Sequence, residues 1–130
     1  MTIGIIGQGY VGTAIKLGFQ EHYKIETYDK FDLAKSTRSN VKDIVEEANV
    51  IFVCVPTPMR KDGTCYTGIV EEVIREINET ATDHIIVIKS TIPPGTTDRI
   101  NQEYTHSTVI FNPEFLTEAN FLEDFRNQKR

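Results

Sequence analysis

Ile3-Gly4-Ile5-Ile6-Gly7-Gln8-Gly9-Tyr10-Val11-Gly12 opens the chain, and residues 13–19 continue it with helical periodicity. An apolar run of strand length leads into glycines spaced G-x-G-x-x-G and then into a helix, which is the first half of a βαβ unit. Each glycine has its own task. Gly7 permits the tight turn, Gly9 lets the backbone approach a pyrophosphate, and Gly12 allows the helix to pack close to the strand. Gln8, Tyr10 and Val11 fill the turn between them. The unpaired N–H groups and the dipole of the helix N-terminus favour negative charge. Residues 7–12 are therefore the candidate phosphate cradle. Asp29 lies about 20 residues further on, where a carboxylate accepts hydrogen bonds from the adenosine ribose hydroxyls. Its charge would repel a 2′-phosphate, so NAD is expected in preference to NADP. Lys30 follows it directly and could weaken that discrimination.

Outward from this turn, apolar runs of strand length recur at 25–28, 50–55, 85–88 and 109–111. Several are apolar throughout, as strands covered on both faces of a parallel sheet must be. Between them, Val41, Ile44, Val45 and Ala48 form one helical stripe, and Ile69, Val70, Val73, Ile74 and Ile77 another. The expected fold is α/β: a doubly wound, mostly parallel sheet of the Rossmann type, one domain over residues 1–130. Residues 30–40 are polar and short, where such a unit places its second crossover and third strand, and read as a truncated crossover or a loop. With a third strand counted there, the runs at 50–55, 85–88 and 109–111 become the fourth, fifth and sixth. Phe121, Leu122 and Phe125 suggest an apolar stripe, partly exposed or self-associating, on a helix beginning near Thr117.

The 130 residues are 39% hydrophobic and 25% charged, ordinary for one globular domain. A formal charge of -5 provides no global positive field for nucleic acid or an anionic membrane. No window approaches ~20 continuous apolar residues, and a soluble, cytoplasmic protein is expected. Cys54 and Cys65 are too few for a disulfide scaffold or zinc site. Cys54 reads as core and Cys65 as a loop thiol; no metal is expected.

Three further motifs end strands at the sheet edge where open α/β folds bind ligands: Val55-Pro56-Thr57-Pro58, Lys89-Ser90-Thr91-Ile92-Pro93-Pro94-Gly95-Thr96-Thr97 and Asn112-Pro113-Glu114-Phe115-Leu116-Thr117-Glu118. With G-x-G-Y-V-G, they closely resemble the N-terminal domain of the UDP-glucose/GDP-mannose dehydrogenase family, over nearly the whole chain and in the family's order. The resemblance implies oxidation of a UDP- or GDP-sugar primary alcohol to the uronic acid with two NAD, through a thiohemiacetal and a thioester on a cysteine. It places Val11 and Asp29 on the adenosine side, and Thr57 and Thr91 on the nicotinamide side. Glu118 would also reach the cofactor. Thr91 and Glu114 would be catalytic, holding and activating a water beside the reacting carbon, and Glu114 with Phe115, Leu116 and Thr117 would line the nucleotide-sugar site. Phe111 and Phe115 would shield Glu114 from water.

Departures accompany the likeness. The stretch between Asp29 and Val50 is shorter than is usual, which leaves open whether Lys30 or Lys35 contacts the cofactor. The family's central helix and its domain with the catalytic cysteine have no counterpart in residues 1–130, so an isolated cofactor half, inactive alone and homodimeric at full length, is expected. The alternative is a stand-alone NAD-binding or sensing module without catalysis. A 3-hydroxyacid or 6-phosphogluconate type of dehydrogenase shares the first fingerprint but not the other three motifs.

Overall fold

The computed structural model describes residues 1–80, 83–104, 107–114 and 116–128. Five strands form one wholly parallel sheet: β1 (Thr2–Ile6), β2 (Lys24–Tyr28), β3 (Val50–Val53), β4 (Ile85–Ile88) and β5 (Thr108–Phe111), in the order β2-β1-β3-β4-β5. The chain leaves β1 toward one edge and from β3 onward builds toward the other. The reversal opens a crevice at the C-terminal ends of β1 and β3, where such sheets take ligands.

Helices cover both faces. α2 (Val41–Glu47), α3 (Gly68–Thr80) and α4 (Thr96–Glu103) pack Val41, Ile44, Val45, Val70, Ile74, Ile77 and Ile100 onto Ile6, Ile51, Val53, Ile86, Ile88 and Val109. α1 (Tyr10–Phe19) and α5 (Phe121–Asn127) lie on the other face, where Ile15, Phe19 and Phe125 meet Ile3, Ile5 and Phe52. β1 and β3 are apolar on both sides because each side meets a helix, whereas Ile85 of β4 and Ile110 of β5 stay exposed.

No third strand follows β2. Residues 30–40 hold a single 3-10 turn, Leu33–Lys35, and the next segment runs along the outer edge of β2. There the N–H groups of Thr37 and Arg38 donate to the Thr27 carbonyl at 2.9 and 3.1 Å. Thr27 N–H donates to the Thr37 hydroxyl at 2.8 Å, and Asp29 N–H to the Ser36 hydroxyl at 2.9 Å. Hydroxyls and a short stretch of backbone thus satisfy the edge that another strand would have paired. The runs numbered fourth to sixth above are consequently β3, β4 and β5.

Other boundaries also shift. β3 stops at Val53, so Cys54 lies just beyond the strand, half-buried. The helix expected near Thr117 begins at Phe121, after a turn in which the Thr117 N–H and hydroxyl both donate to Asp124 Oδ2, at 2.8 and 2.6 Å. Phe121, Leu122 and Phe125 are half-buried, in line with the partial exposure expected, and Phe125 meets Phe19 edge to face. Pro93 and Pro94 precede the first turn of α4, whose N-cap is Gly95.

Candidate functional site

The turn after β1 is built by steric necessity. Gly7 has φ +99°, and a Cβ there would lie 2.5 Å from the Cys54 carbonyl oxygen; a Cβ on Gly12 would overlap the Gly7 carbonyl. Gly9 is different. Its φ is -69°, open to any residue, and a Cβ built there meets nothing within 4 Å. The side chain is missing where only an occupant of the groove would need the room. Gly9 is also the N-cap of α1, with no side-chain cap and no acidic residue in the first turn. The opening N–H groups of the helix are left for an anion, and the residues present fit a dinucleotide's pyrophosphate.

Gln8 is buried, and its N–H donates to Asp29 Oδ2 at 2.7 Å, while Phe31 N–H donates to Oδ1 at 2.9 Å. Two backbone donors fix the carboxylate at the tip of β2, leaving lone pairs for ribose hydroxyls. It lines a cavity of about 580 Å³ with Gly7, Gly9, Tyr28 and Phe31 on one side and Ile69, Val73, Glu72 and Glu76 of α3 on the other. Lys30 and Lys35 line it too.

A second cavity, of about 300 Å³, lies across Gly9 and shares Cys54, Val55 and Pro56 with the first. Tyr10, Val11, Thr57, Lys89, Ser90, Thr91 and Glu114 complete its wall. The strand-end motifs therefore converge here. The Ser90 hydroxyl donates to the Val55 carbonyl at 2.6 Å and joins the ends of β3 and β4. Burial pushes the Cys54 thiol up to about 12, with the nearby Glu114 carboxylate adding to the shift and Lys89 opposing it. Such a thiol is inert as a nucleophile.

Beyond Glu114 the expected residues disperse. Glu114 Oε2 accepts the Leu116 N–H at 2.6 Å, so the carboxylate also braces its own loop. Leu116 is half-buried, Thr117 and Glu118 are exposed, and none of the three lines either cavity. Phe115 lies outside the described residues, and Phe111 is 37% exposed and lines neither cavity. Sequence reasoning passed over Lys89 as a site residue, although it stands in a quoted motif, because a lysine at a strand end ordinarily reaches solvent. It also passed over Glu72 and Glu76, whose only signal was their place on α3.

The model of the UDP-glucose/GDP-mannose dehydrogenase family, NAD binding domain, matches residues 25–130. UDP-glucose 6-dehydrogenase of Streptococcus pneumoniae is 30% identical over 95% of this chain and 38% of its own. GDP-mannose 6-dehydrogenase of Pseudomonas aeruginosa is 32% identical over 69% of this chain and 24% of its own. Among solved structures, a ternary complex of the P. aeruginosa GDP-mannose dehydrogenase superposes with TM-score 0.82 at 26% identity, over 96% of this chain and 38% of that one. The chain spans well under half the length of these relatives.

Proposed function

The chain belongs to the UDP-glucose/GDP-mannose dehydrogenase family as its NAD-binding domain, and on that premise we propose that it is the cofactor half of a nucleotide-sugar 6-dehydrogenase. The whole enzyme would oxidise the primary alcohol of a UDP- or GDP-linked sugar to the uronic acid with two NAD. When bound, the cofactor supplies the hydride acceptor. One observation carries the reading: Asp29, the glycine turn, Thr57, Thr91 and Glu114, distant in sequence, line two cavities that share a wall at Gly9.

In this reading Asp29 accepts from the adenosine ribose, and the first N–H groups of α1 hold the pyrophosphate. Thr57 and Thr91 bound the nicotinamide half. Glu114, half-buried and lining the smaller cavity with Thr91, holds a water with the Thr91 hydroxyl and accepts its proton. Leu116 and Thr117, on the loop just past Glu114, form the outer rim that meets the sugar, and Glu118 approaches the cofactor from the same loop.

Asp29 provides the test. Calorimetric titration should show NAD binding at least about tenfold tighter than NADP, with Asp29→Ala narrowing the gap to a few-fold. Equal affinities for both in the parent chain would overturn the assignment of Asp29.

A further inference from the structure

Lys89 is 6% exposed at the end of β4, inside the wall of the smaller cavity. Its Nζ donates to Asn112 Oδ1 at 2.6 Å, a side chain at the end of the neighbouring β5. No carboxylate among the described residues forms an ion pair with it. A lysine this deep is ordinarily neutralised by an adjacent acid. Here the titratable groups facing it are Glu114, from the loop after β5, and the Cys54 thiol, which burial keeps protonated, from the end of β3. Burial draws the Lys89 pKa below the ordinary lysine value, and both neighbours partly counter that shift. One hydrogen bond uses one of three ammonium protons.

The cavity that holds this cation is the one assigned above to the nicotinamide, so the inference rests on that assignment. The oxidised ring carries a positive charge and the reduced ring none. A fixed ammonium in a partly desolvated wall therefore acts on the two redox forms unequally, while the adenosine and pyrophosphate contacts are common to both. We propose that Lys89 sets the redox-state preference of this site: tethered by Asn112, it opposes the cationic ring and makes the domain hold NADH more tightly than NAD. Glu114, of opposite charge in the same wall, moderates the effect.

The test titrates NAD, NADH and ADP-ribose, which lacks the ring, into the chain and three variants. The parent is expected to favour NADH by about tenfold. Lys89→Met should bring that ratio close to one and leave ADP-ribose affinity unchanged. Lys89→Arg, which keeps the charge, should retain most of the preference, and so should Asn112→Ala, which removes the tether and leaves the ammonium. If Lys89→Met does not fold, Lys89→Gln, which also removes the charge and keeps a polar end for Asn112, reads the same ratio, and an unchanged preference there overturns the proposal. A parent that binds NAD as tightly as NADH overturns the proposal, as does a preference unchanged in folded Lys89→Met. Binding of ADP-ribose together with either result leaves the cofactor site standing and removes only the role of Lys89. No binding of any of the three overturns both.

Discussion

Gly9 and Gly12 sit three residues apart on one turn, yet a methyl group added to each meets different surroundings. At Gly12 it overlaps the Gly7 carbonyl, which is backbone and has no room to move. Gly12→Ala should cost about 3 kcal/mol of stability. At Gly9 it meets nothing within 4 Å, so Gly9→Ala should stay within about 1 kcal/mol of the parent. The same methyl points where a pyrophosphate would lie, and NAD affinity should fall at least about tenfold. Denaturant melts with NAD titration of both variants separate fold from binding. Parent-like affinity in Gly9→Ala would mean that the ligand does not approach the turn. The fingerprint was legible in the sequence down to these single positions, because a glycine spacing reports backbone constraints directly. Lys89 was not, since neither its burial nor its partner Asn112, 23 positions away, leaves a local trace.

At the scale of elements, two contacts hold the sheet's periphery. On the β2 edge, Glu26 is buried and accepts from the Thr37 hydroxyl at 2.6 Å and from Arg38 Nε at 3.0 Å. Burial pushes its carboxyl up, but the Thr37 and Arg38 hydrogen bonds, with the charges of Arg38 and Lys24, outweigh it and leave the pKa below the ordinary value. The folded state therefore binds this proton less readily than the unfolded chain. The stability it contributes is present above the unfolded carboxylate pKa and is lost as pH falls through the lower folded value. Glu26→Gln should destabilise the chain by about 1–2 kcal/mol at pH 7 and by much less at pH 3, as paired urea melts would show; an equal loss at both would leave the carboxylate charge without a part in the edge. On the opposite face, α5 docks on α1 because Gly18 leaves space for the Phe125 ring. Gly18→Ala should displace that ring and cost about 1–2 kcal/mol. Hydrogen exchange should then quicken in α5 and stay slow in α1; unchanged protection in α5 would show that the two helices are held elsewhere.

Taken whole, the molecule gathers most of its candidate site residues into two adjoining cavities. Its cavities hold a fixed carboxylate, a candidate phosphate cradle, two threonines and a half-buried glutamate. Cys54 is held protonated by burial, and the Cys65 thiol donates weakly to the Thr91 carbonyl at 3.5 Å. The two-helix layer reaches Phe52 of β3, and beyond it Ile85 and Ile110 remain 43% and 45% exposed on the sheet. Positioning a substrate carbon against the cofactor can supply several kcal/mol of a barrier, and as the proposed cofactor half these 130 residues would supply only the nicotinamide side of it. With saturating NAD and UDP-glucose, UDP-N-acetylmannosamine or GDP-mannose, the 130-residue chain should give no reduced nicotinamide above a no-enzyme blank. Turnover abolished by Cys54→Ser or Cys65→Ser would reverse this expectation.

The sequence alone determined the class of fold, the cofactor turn, Asp29 and the motifs at the ends of β3, β4 and β5, because hydrophobic periodicity and glycine spacing are local consequences of backbone geometry. Tertiary structure decided what depends on partners distant along the chain. Thr37 and Arg38 stand in for a third strand by bonding Thr27, ten residues and more away, and the polar stretch Ser36-Thr37-Arg38-Ser39 reads equally well as a loop. Lys89 is buried only because β4 and β5 lie side by side, and its proton goes to Asn112 only because their ends are level. Burial and pairing are properties of a neighbourhood, and the neighbourhood exists once the sheet has formed.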